Sequence, residues 1–383
     1  MIQAFKSMLI ILLLTRPLAY AGECLPAVES KSILSAQEIL NALSPRSLSV
    51  WMLSNATIER KIISDSQGVA QPGSYAIAKM VINRNLEELK GTFGSLLQGH
   101  FPGNPVVPGV IQAKMMAQVA TFVLNLAKSE VGGKVKPVRI LELGGFRFNE
   151  PLYPGAHINI RVELLRSEES NMVFKGTIEQ DISLESKMEK VATGEFTVSL
   201  ERSDPGFKSI NLVDSLILGT ERPLLTRDQV REFLPHRDPL LLIDTVLSYP
   251  QKEKLVKGDR IVAELTTTQD MLVMDKSDFH QGVVPADIQV EIMAQASAFV
   301  LYNQFQNIRN SGQDPQVKVL LTGIKSAQFF ESLIAGQRLI VSSEVVNSKR
   351  GMMTFDADIR LPNGRLVGQA RLGAYGSVSP IPK

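Results

Sequence analysis

Residues 99–118 read Gly-His-Phe-Pro-Gly-Asn-Pro-Val-Val-Pro-Gly-Val-Ile-Gln-Ala-Lys-Met-Met-Ala-Gln, and this stretch indicates how the chain folds. A turn rich in proline and glycine leads into an apolar run with no charge after Lys114, the pattern of a buried helix. His100 lies in that turn, a suitable setting for a catalytic base. The helix position where an acid would face the histidine is occupied by Lys114. The segment alone therefore lacks an acid–base pair.

A second copy of this helix occurs at residues 283–295, which read Val-Val-Pro-Ala-Asp-Ile-Gln-Val-Glu-Ile-Met-Ala-Gln. The Val-Val-Pro at 106–108 and the Met-Ala-Gln at 116–118 both recur 177 positions downstream. A constant offset through different residue types indicates an internal repeat of the chain. In the second copy the acid position holds Glu291 and the histidine position holds Ser277. The first copy therefore has the histidine without the acid, and the second has the acid without the histidine.

The repeat divides the 383-residue chain into two domains, each long enough to bury its own core. We predict a first domain over residues 30–200, a linker over 201–222 and a second domain over 223–383. Capping-box patterns open both halves, Ser35 with Glu38 and Thr226 with Gln229.

Each half is predicted to hold one long central helix, at about 109–128 and 286–306, followed by alternating segments such as 158–164 and 339–345. The central helices should be buried nearly all round because they carry so little charge. One helix followed by an antiparallel meander predicts an α+β fold in which the sheet wraps around the helix.

Composition narrows the function classes. The net charge of +2 implies no broad basic face for nucleic acid, and the lone cysteine excludes an internal disulfide. Four histidines without a Cys/His cluster predict no metal site.

Residues 1–21 have the charged start, short apolar run and Ala-Tyr-Ala exit that are typical of a secretory signal peptide, so export is one expectation. The apolar run is too short to span a bilayer.

The run Gly99–Gln118 resembles a motif of the β-hydroxyacyl-thioester dehydratases, which have the hot-dog fold. Residues 234–244, Leu-Pro-His-Arg-Asp-Pro-Leu-Leu-Leu-Ile-Asp, resemble the N-terminal motif of the same family. The resemblance covers nearly all of residues 35–200 and 224–376, so it implies a double hot-dog fold, an intramolecular pseudo-dimer. The second half also resembles dehydratase-like proteins of aryl-polyene-type lipid pathways, which suggests a specialised acyl chain.

In that family the histidine comes from one subunit and the acid from the helix of its partner. The resemblance therefore implies that His100 meets Glu291 across the pseudo-dimer interface. The other composite site would hold Ser277 and Lys114, with neither base nor acid. One working site per chain follows from this asymmetry, which identical subunits cannot have.

Further residues receive supporting roles. Gln295 is four positions after Glu291, on the same helical face, and is expected to orient its carboxylate. The backbone N–H at a helix N-terminus, of Gly109 or of Ala286, is expected to stabilise the negative charge on the thioester oxygen. The resemblance assigns His236 a structural hydrogen bond near its turn. An apolar tunnel is expected to raise the pKa of Glu291 and keep it partly protonated.

The implied reaction is dehydration of 3-hydroxyacyl thioesters to trans-2-enoyl thioesters in fatty-acid or related lipid synthesis, catalysed by a hydro-lyase. The resemblance implies no cofactor, since the substrate is carried on the phosphopantetheine of acyl carrier protein or on coenzyme A. It is also compatible with further homo-oligomerisation of pseudo-dimers. Such thioesters are cytoplasmic, which conflicts with the signal-like segment.

Several alternatives stay open at this stage. A hot-dog thioesterase would use the acid to activate water, and a non-catalytic acyl-thioester-binding protein would have lost turnover altogether. Lys114 is either a solvated interface charge or a ligand for the phosphate of a phosphopantetheine arm. His157, at a strand start, is expected to be exposed, and His280 lies three residues from Ser277.

Overall fold

The structure is a computed structural model that describes residues 28–35, 56–66, 68–82, 97–124, 139–168, 171–181, 188–199, 222–252, 254–268 and 283–381. The helices in these ranges are α1 (Gly109–Leu124), α2 (Arg227–Phe233), α3 (Ala286–Ala298) and α4 (Tyr302–Asn310). The strands of the first half are β1 (Val28–Leu34), β2 (Thr57–Ser64), β3 (Tyr75–Val81), β4 (Arg139–Phe148), β5 (His157–Glu168), β6 (Asn171–Asp181) and β7 (Met188–Ser199). Those of the second half are β8 (Thr245–Ser248), β9 (Arg260–Thr266), β10 (Val283–Val284), β11 (Pro315–Phe329), β12 (Leu333–Ile334), β13 (Arg338–Lys349), β14 (Met352–Arg360) and β15 (Leu366–Pro380).

One antiparallel sheet of 13 strands joins the two halves, in the order β1-β2-β3-β5-β6-β7-β4-β11-β15-β14-β13-β9-β8. Apart from β1, this order reads the same outward from its centre, because each strand of the first half has a counterpart at the mirrored position in the second. The internal repeat found in the sequence is therefore also a repeat in space. The α+β double hot-dog prediction is confirmed.

The halves meet where β4 pairs with β11, with Phe146 opposite Ile324. A Cβ atom on Gly323 would lie 2.5 Å from the carbonyl oxygen of Phe146, so the two strands can approach this closely only with glycine there. Across this β4–β11 seam, the pairing that joins the two halves, Gln328 Nε2 donates to Glu142 Oε1 at 3.0 Å. The seam makes the two domains one continuous body.

The central helices are buried as predicted. In α1 every residue from Val110 to Leu124 is buried, and α3 packs beside it. The second helix differs from the prediction in one respect: α3 ends at Ala298, and a 3₁₀ turn precedes α4. Ser297 donates its hydroxyl to the Met293 carbonyl at 2.7 Å just before that break, a contact that bends helices.

The alternating segments also behave as predicted. In β5 the side chains of Ile158, Ile160, Val162 and Leu164 are all buried. In β13 the buried positions are Leu339, Val341, Ser343 and Val345, so one polar side chain lies in the core. The Ser343 hydroxyl meets that of Ser297 at 2.7 Å, which explains how serine is tolerated there.

Helix α2 begins where its sequence pattern placed it, since the Thr226 N–H donates to Gln229 Oε1 at 2.9 Å. Other predictions lie outside the described residues: the signal-like segment 1–21, the linker over 201–221, Glu38 of the first capping pattern, Ser277 and His280. Within the described ranges, none of the helices has both the length and the apolar character that a bilayer crossing requires.

Candidate active site

Three buried side chains from three different segments converge between the halves. His100 lies in the segment that leads into α1, His236 follows α2, and Glu291 lies in α3. One ring nitrogen of each histidine and one oxygen of the carboxylate all lie within 4.8 Å of one another. The structure thus brings His100 and Glu291 together, as the resemblance implied, and adds His236 to the pair. His236 Nε2 is 3.3 Å from Glu291 Oε1.

The loop that carries His100 is held against the loop that carries His236. The N–H of Arg237 donates to the Gly99 carbonyl at 3.0 Å. A Cβ atom on Gly99 would lie only 2.5 Å from the Arg237 carbonyl oxygen, so glycine is required for this approach. The two imidazole rings consequently lie 5.2 Å apart between centroids.

One ring nitrogen of His100 is committed to the backbone. Nδ1 lies 2.9 Å from the carbonyl oxygen of Val106, which can only accept, so Nδ1 carries the hydrogen. In the neutral ring Nε2 is then unprotonated, and its lone pair is available as a base. His100 is only 9 % exposed.

Gln295 fixes the position of the carboxylate, as its spacing from Glu291 predicted. Its Nε2 donates to Glu291 Oε1 at 2.9 Å and to the Leu240 carbonyl at 2.6 Å. Its Oε1 accepts the N–H of Leu242 at 3.0 Å. One glutamine therefore anchors the acid to the segment that follows His236, and all of its contacts are buried.

Burial and neighbouring groups set the protonation states of His100 and Glu291. Desolvation by burial, helped by the nearby His236, lowers the pKa of His100 to about 4, so this ring is neutral at pH 7. Burial by itself would raise the pKa of Glu291. The hydrogen bond and charge of His236, together with His100 and Gln295, outweigh burial and lower that pKa to about 2. The expectation of a raised pKa for Glu291 was wrong, because it considered the apolar tunnel without His236.

A cavity of about 190 Å³ opens onto the three side chains. Its polar lining includes His100, His236, Glu291, Asn149 and Glu150, and its apolar lining includes side chains of β14 and β15 such as Met353, Phe355 and Leu372. Gly109 lines this cavity, whereas Ala286 is not among its lining residues. A Cβ atom at Gly109 would lie 2.8 Å from the Phe148 ring, which explains the glycine.

His236 has a more direct place in the site than the sequence indicated. It was expected to serve the structure of its turn, whereas its ring is 4 % exposed and contacts the acid. Its Leu-Pro-His-Arg setting resembled the family motif, but no spacing rule links it to Glu291, 55 positions away. Only the fold brings the two together.

Lys114 stands at the position of the first half that is equivalent to Glu291, and it belongs to a buried ion pair. Lys114 Nζ lies 3.7 Å from Asp287 Oδ2, and the two side chains are 8 % and 2 % exposed. The alternative that Lys114 is a solvated interface charge was therefore wrong. Asp287 stands where the first half has Val110, so no acidic residue occupies the equivalent position there.

Comparison with known protein families matches two separate stretches of the chain. Residues 228–379 match the model of the ApeP-like family, described as ApeP dehydratase, and residues 92–188 match that of the ApeI-like family, described as ApeI dehydratase. The two matches fall in different halves. Each half is thus related to a dehydratase in its own right.

Among curated proteins, the chain is 30% identical over 148 residues to the 3-hydroxyacyl-[acyl-carrier-protein] dehydratase FabZ of Thioalkalivibrio sulfidiphilus, covering 39% of this chain and 94% of that protein. The FabZ of Teredinibacter turnerae is 28% identical over 144 residues, covering 38% and 91%. A solved structure, the dehydratase domain from the CurF module of curacin polyketide synthase, is similar with a TM-score of 0.48 and 10% identity, covering 81% of this chain and 95% of that one. The sequence matches show that the chain belongs to the 3-hydroxyacyl-[acyl-carrier-protein] dehydratase family, with two related units fused in one polypeptide.

Proposed function

We propose that the chain dehydrates 3-hydroxyacyl thioesters to trans-2-enoyl thioesters at one composite site, in which His100 of the first half acts with Glu291 of the second. The observation that carries this proposal is that donor atoms of His100 and Glu291 lie within 4.8 Å of each other and that both residues line one cavity with many apolar side chains. A hydro-lyase needs a base at C2 and a proton for the hydroxyl that leaves C3. An apolar cavity suits the acyl chain.

His100 takes the C2 proton on Nε2, and the electron pair of the broken C–H bond forms the C2–C3 double bond. The C3–O bond breaks, and the leaving oxygen receives a proton to depart as water. Glu291 is ionised in the free site, so it relays the proton from His100 to the leaving oxygen. At the end His100 is neutral again and no net proton is consumed.

Gly109 is the backbone group that best suits the thioester oxygen. It is the first residue of α1, where N–H groups lack partners inside the helix, and it lines the cavity. The positive end of the helix dipole adds to the stabilisation of an enolate-like oxygen. Ala286, at the N-terminus of the second central helix, is less suitable for this role because it does not line the cavity.

The substrate is an acyl thioester, and we propose that acyl carrier protein or coenzyme A carries it without a further cofactor. The related FabZ proteins are named for carrier-bound substrates, and this supports the former. We propose a cytoplasmic location, because such thioesters are cytoplasmic, provided that residues 1–21 are retained. Cleavage of that segment would favour the thioesterase or acyl-binding alternatives, and mass spectrometry of the mature N-terminus distinguishes the two cases. Further association of pseudo-dimers is compatible with the fold.

One assay separates dehydration from the two alternatives. A 3-hydroxyacyl thioester is incubated with the full chain, and enoyl thioester and free thiol are measured in the same sample. We expect enoyl product without thiol release. Thiol release without enoyl product would support the thioesterase, and binding with neither product would support the acyl-binding protein.

The pH dependence follows from the lowered pKa of His100. The base works only when neutral, and its pKa of about 4 keeps it neutral well below the ordinary histidine value of 6.5. We expect kcat/KM to stay level from pH 7 down to about 5 and to fall below that. The measurement is a pH profile of kcat/KM in well-buffered solutions, with a check at each pH that the protein remains folded. A fall centred near 6.5 would show that the base is not the buried His100.

A further inference from the structure

We propose that His100, His236 and Glu291 also form a reversible binding site for one Zn²⁺ ion, whose occupancy excludes the substrate. Two imidazole nitrogens and one carboxylate oxygen are a donor set that zinc accepts, with a fourth position left to water. The three donor atoms already lie within 4.8 Å of one another and face a cavity. Zinc binding by these residues does not depend on the dehydration reaction, whereas exclusion of the substrate rests on the proposed function.

The distances need little adjustment. Zinc bonds of about 2.0–2.1 Å in tetrahedral geometry place neighbouring donor atoms about 3.3–3.4 Å apart. His236 Nε2 and Glu291 Oε1 are 3.3 Å apart without a metal. Only His100 has to move closer, by roughly 1.5 Å at most, and side-chain rotation of a loop residue supplies such a shift.

Outer contacts already orient two of the three ligands. His100 donates its Nδ1 hydrogen to the Val106 carbonyl at 2.9 Å, which leaves Nε2 unprotonated and able to bind a metal. Gln295 holds the Glu291 carboxylate at 2.9 Å. A backbone carbonyl behind a histidine and an amide behind a carboxylate are the supports that metal-ligating residues have in zinc sites.

His236 is the weakest ligand, and this makes the site reversible. To bind zinc through Nε2, its hydrogen must reside on Nδ1, and that buried atom has no hydrogen-bond partner among the described residues. A missing outer partner typically lowers metal affinity about 10–100-fold. We therefore infer occupancy at elevated zinc rather than a resident metal, with inhibition as the consequence if the proposed function holds.

Direct binding tests the inference without reference to activity. The full chain, freed of metal with a chelator, is titrated with Zn²⁺ by calorimetry, and with Co²⁺ while visible absorption is recorded. We expect one ion per chain and a tetrahedral Co²⁺ spectrum. The variants His236→Gln and Glu291→Gln should each lose at least about 10-fold in affinity. Mg²⁺, which prefers oxygen ligands, should not compete.

The control removes the other two of the four histidines, in the variant His157→Gln/His280→Gln. It should bind one Zn²⁺ with unchanged affinity. Loss of binding in this control, or unchanged binding in His236→Gln and Glu291→Gln, overturns the inference. Failure of the two proposals is distinguishable: zinc binding without turnover of metal-free protein refutes dehydration only, and turnover without zinc binding refutes the metal site only.

Discussion

Replacing His100 by alanine is expected to lower kcat/KM for enoyl formation by about 10²–10⁴-fold while the protein stays folded. The reason is that His100 lines the cavity and its Nε2 is the unprotonated ring nitrogen, since Nδ1 donates its hydrogen to the Val106 carbonyl. His236 lies nearby but its Nε2 is directed at Glu291, so it does not replace the lost base. Initial rates of enoyl formation provide the measurement.

Added imidazole distinguishes loss of the base from loss of structure. The alanine variant leaves space for a small base in a site that already opens to a cavity, so imidazole should restore part of the rate. His157→Ala is the matched control, because His157 is an exposed histidine at the start of β5. It should retain full activity. Equal loss in both variants would contradict the assignment of the base.

Replacing Glu291 by glutamine is expected to lower kcat/KM by about 10²–10⁴-fold, through loss of proton transfer to the leaving oxygen. The substitution preserves size, and glutamine can still hydrogen-bond His236 and Gln295. Removing the carboxylate charge also lowers the pKa of His100 further, since that charge raises it. His100 therefore stays neutral at pH 7, and the loss cannot come from a wrongly protonated base. The rate of enoyl formation at pH 7 is again the measurement.

The pseudo-equivalent position provides the control for Glu291. Lys114 and Asp287 form a buried ion pair, and removing one partner alone would leave an uncompensated charge. The double variant Lys114→Met/Asp287→Leu replaces both with apolar side chains, an exchange that is often neutral or stabilising. It should keep full activity. A loss comparable to that of Glu291→Gln would mean that the second composite position takes part in turnover.

Much of the fold was predictable from the sequence because a repeat constrains two halves at once. The constant offset placed both central helices, and alternation in β5 and β13 placed the buried faces. The palindromic strand order around the β4–β11 seam was not predictable residue by residue, since it depends on which edges of the two sheets meet. The break after Ala298 was missed because a serine bond to the preceding turn has no distinct sequence pattern.

The site was predictable only in part. The motif that contains His100 and the acid of the second helix identified the pair, but their distance depends on packing of α1 against α3. The contact of His236 with Glu291 was missed, and with it the direction of the shift in the pKa of Glu291. Charges brought together by the fold decide that shift, whereas sequence shows only that the surroundings are apolar.

A double-mutant cycle on His100 and Glu291 tests the central claim, that residues from the two halves act in one site. kcat/KM for enoyl formation is measured for the wild type, His100→Ala, Glu291→Gln and the double variant. If the two residues pass one proton between them, the double variant should be no more than about tenfold slower than the slower single variant, since residues that act as a unit are strongly non-additive. Losses that multiply in full would show that His100 and Glu291 act independently and would contradict the composite site.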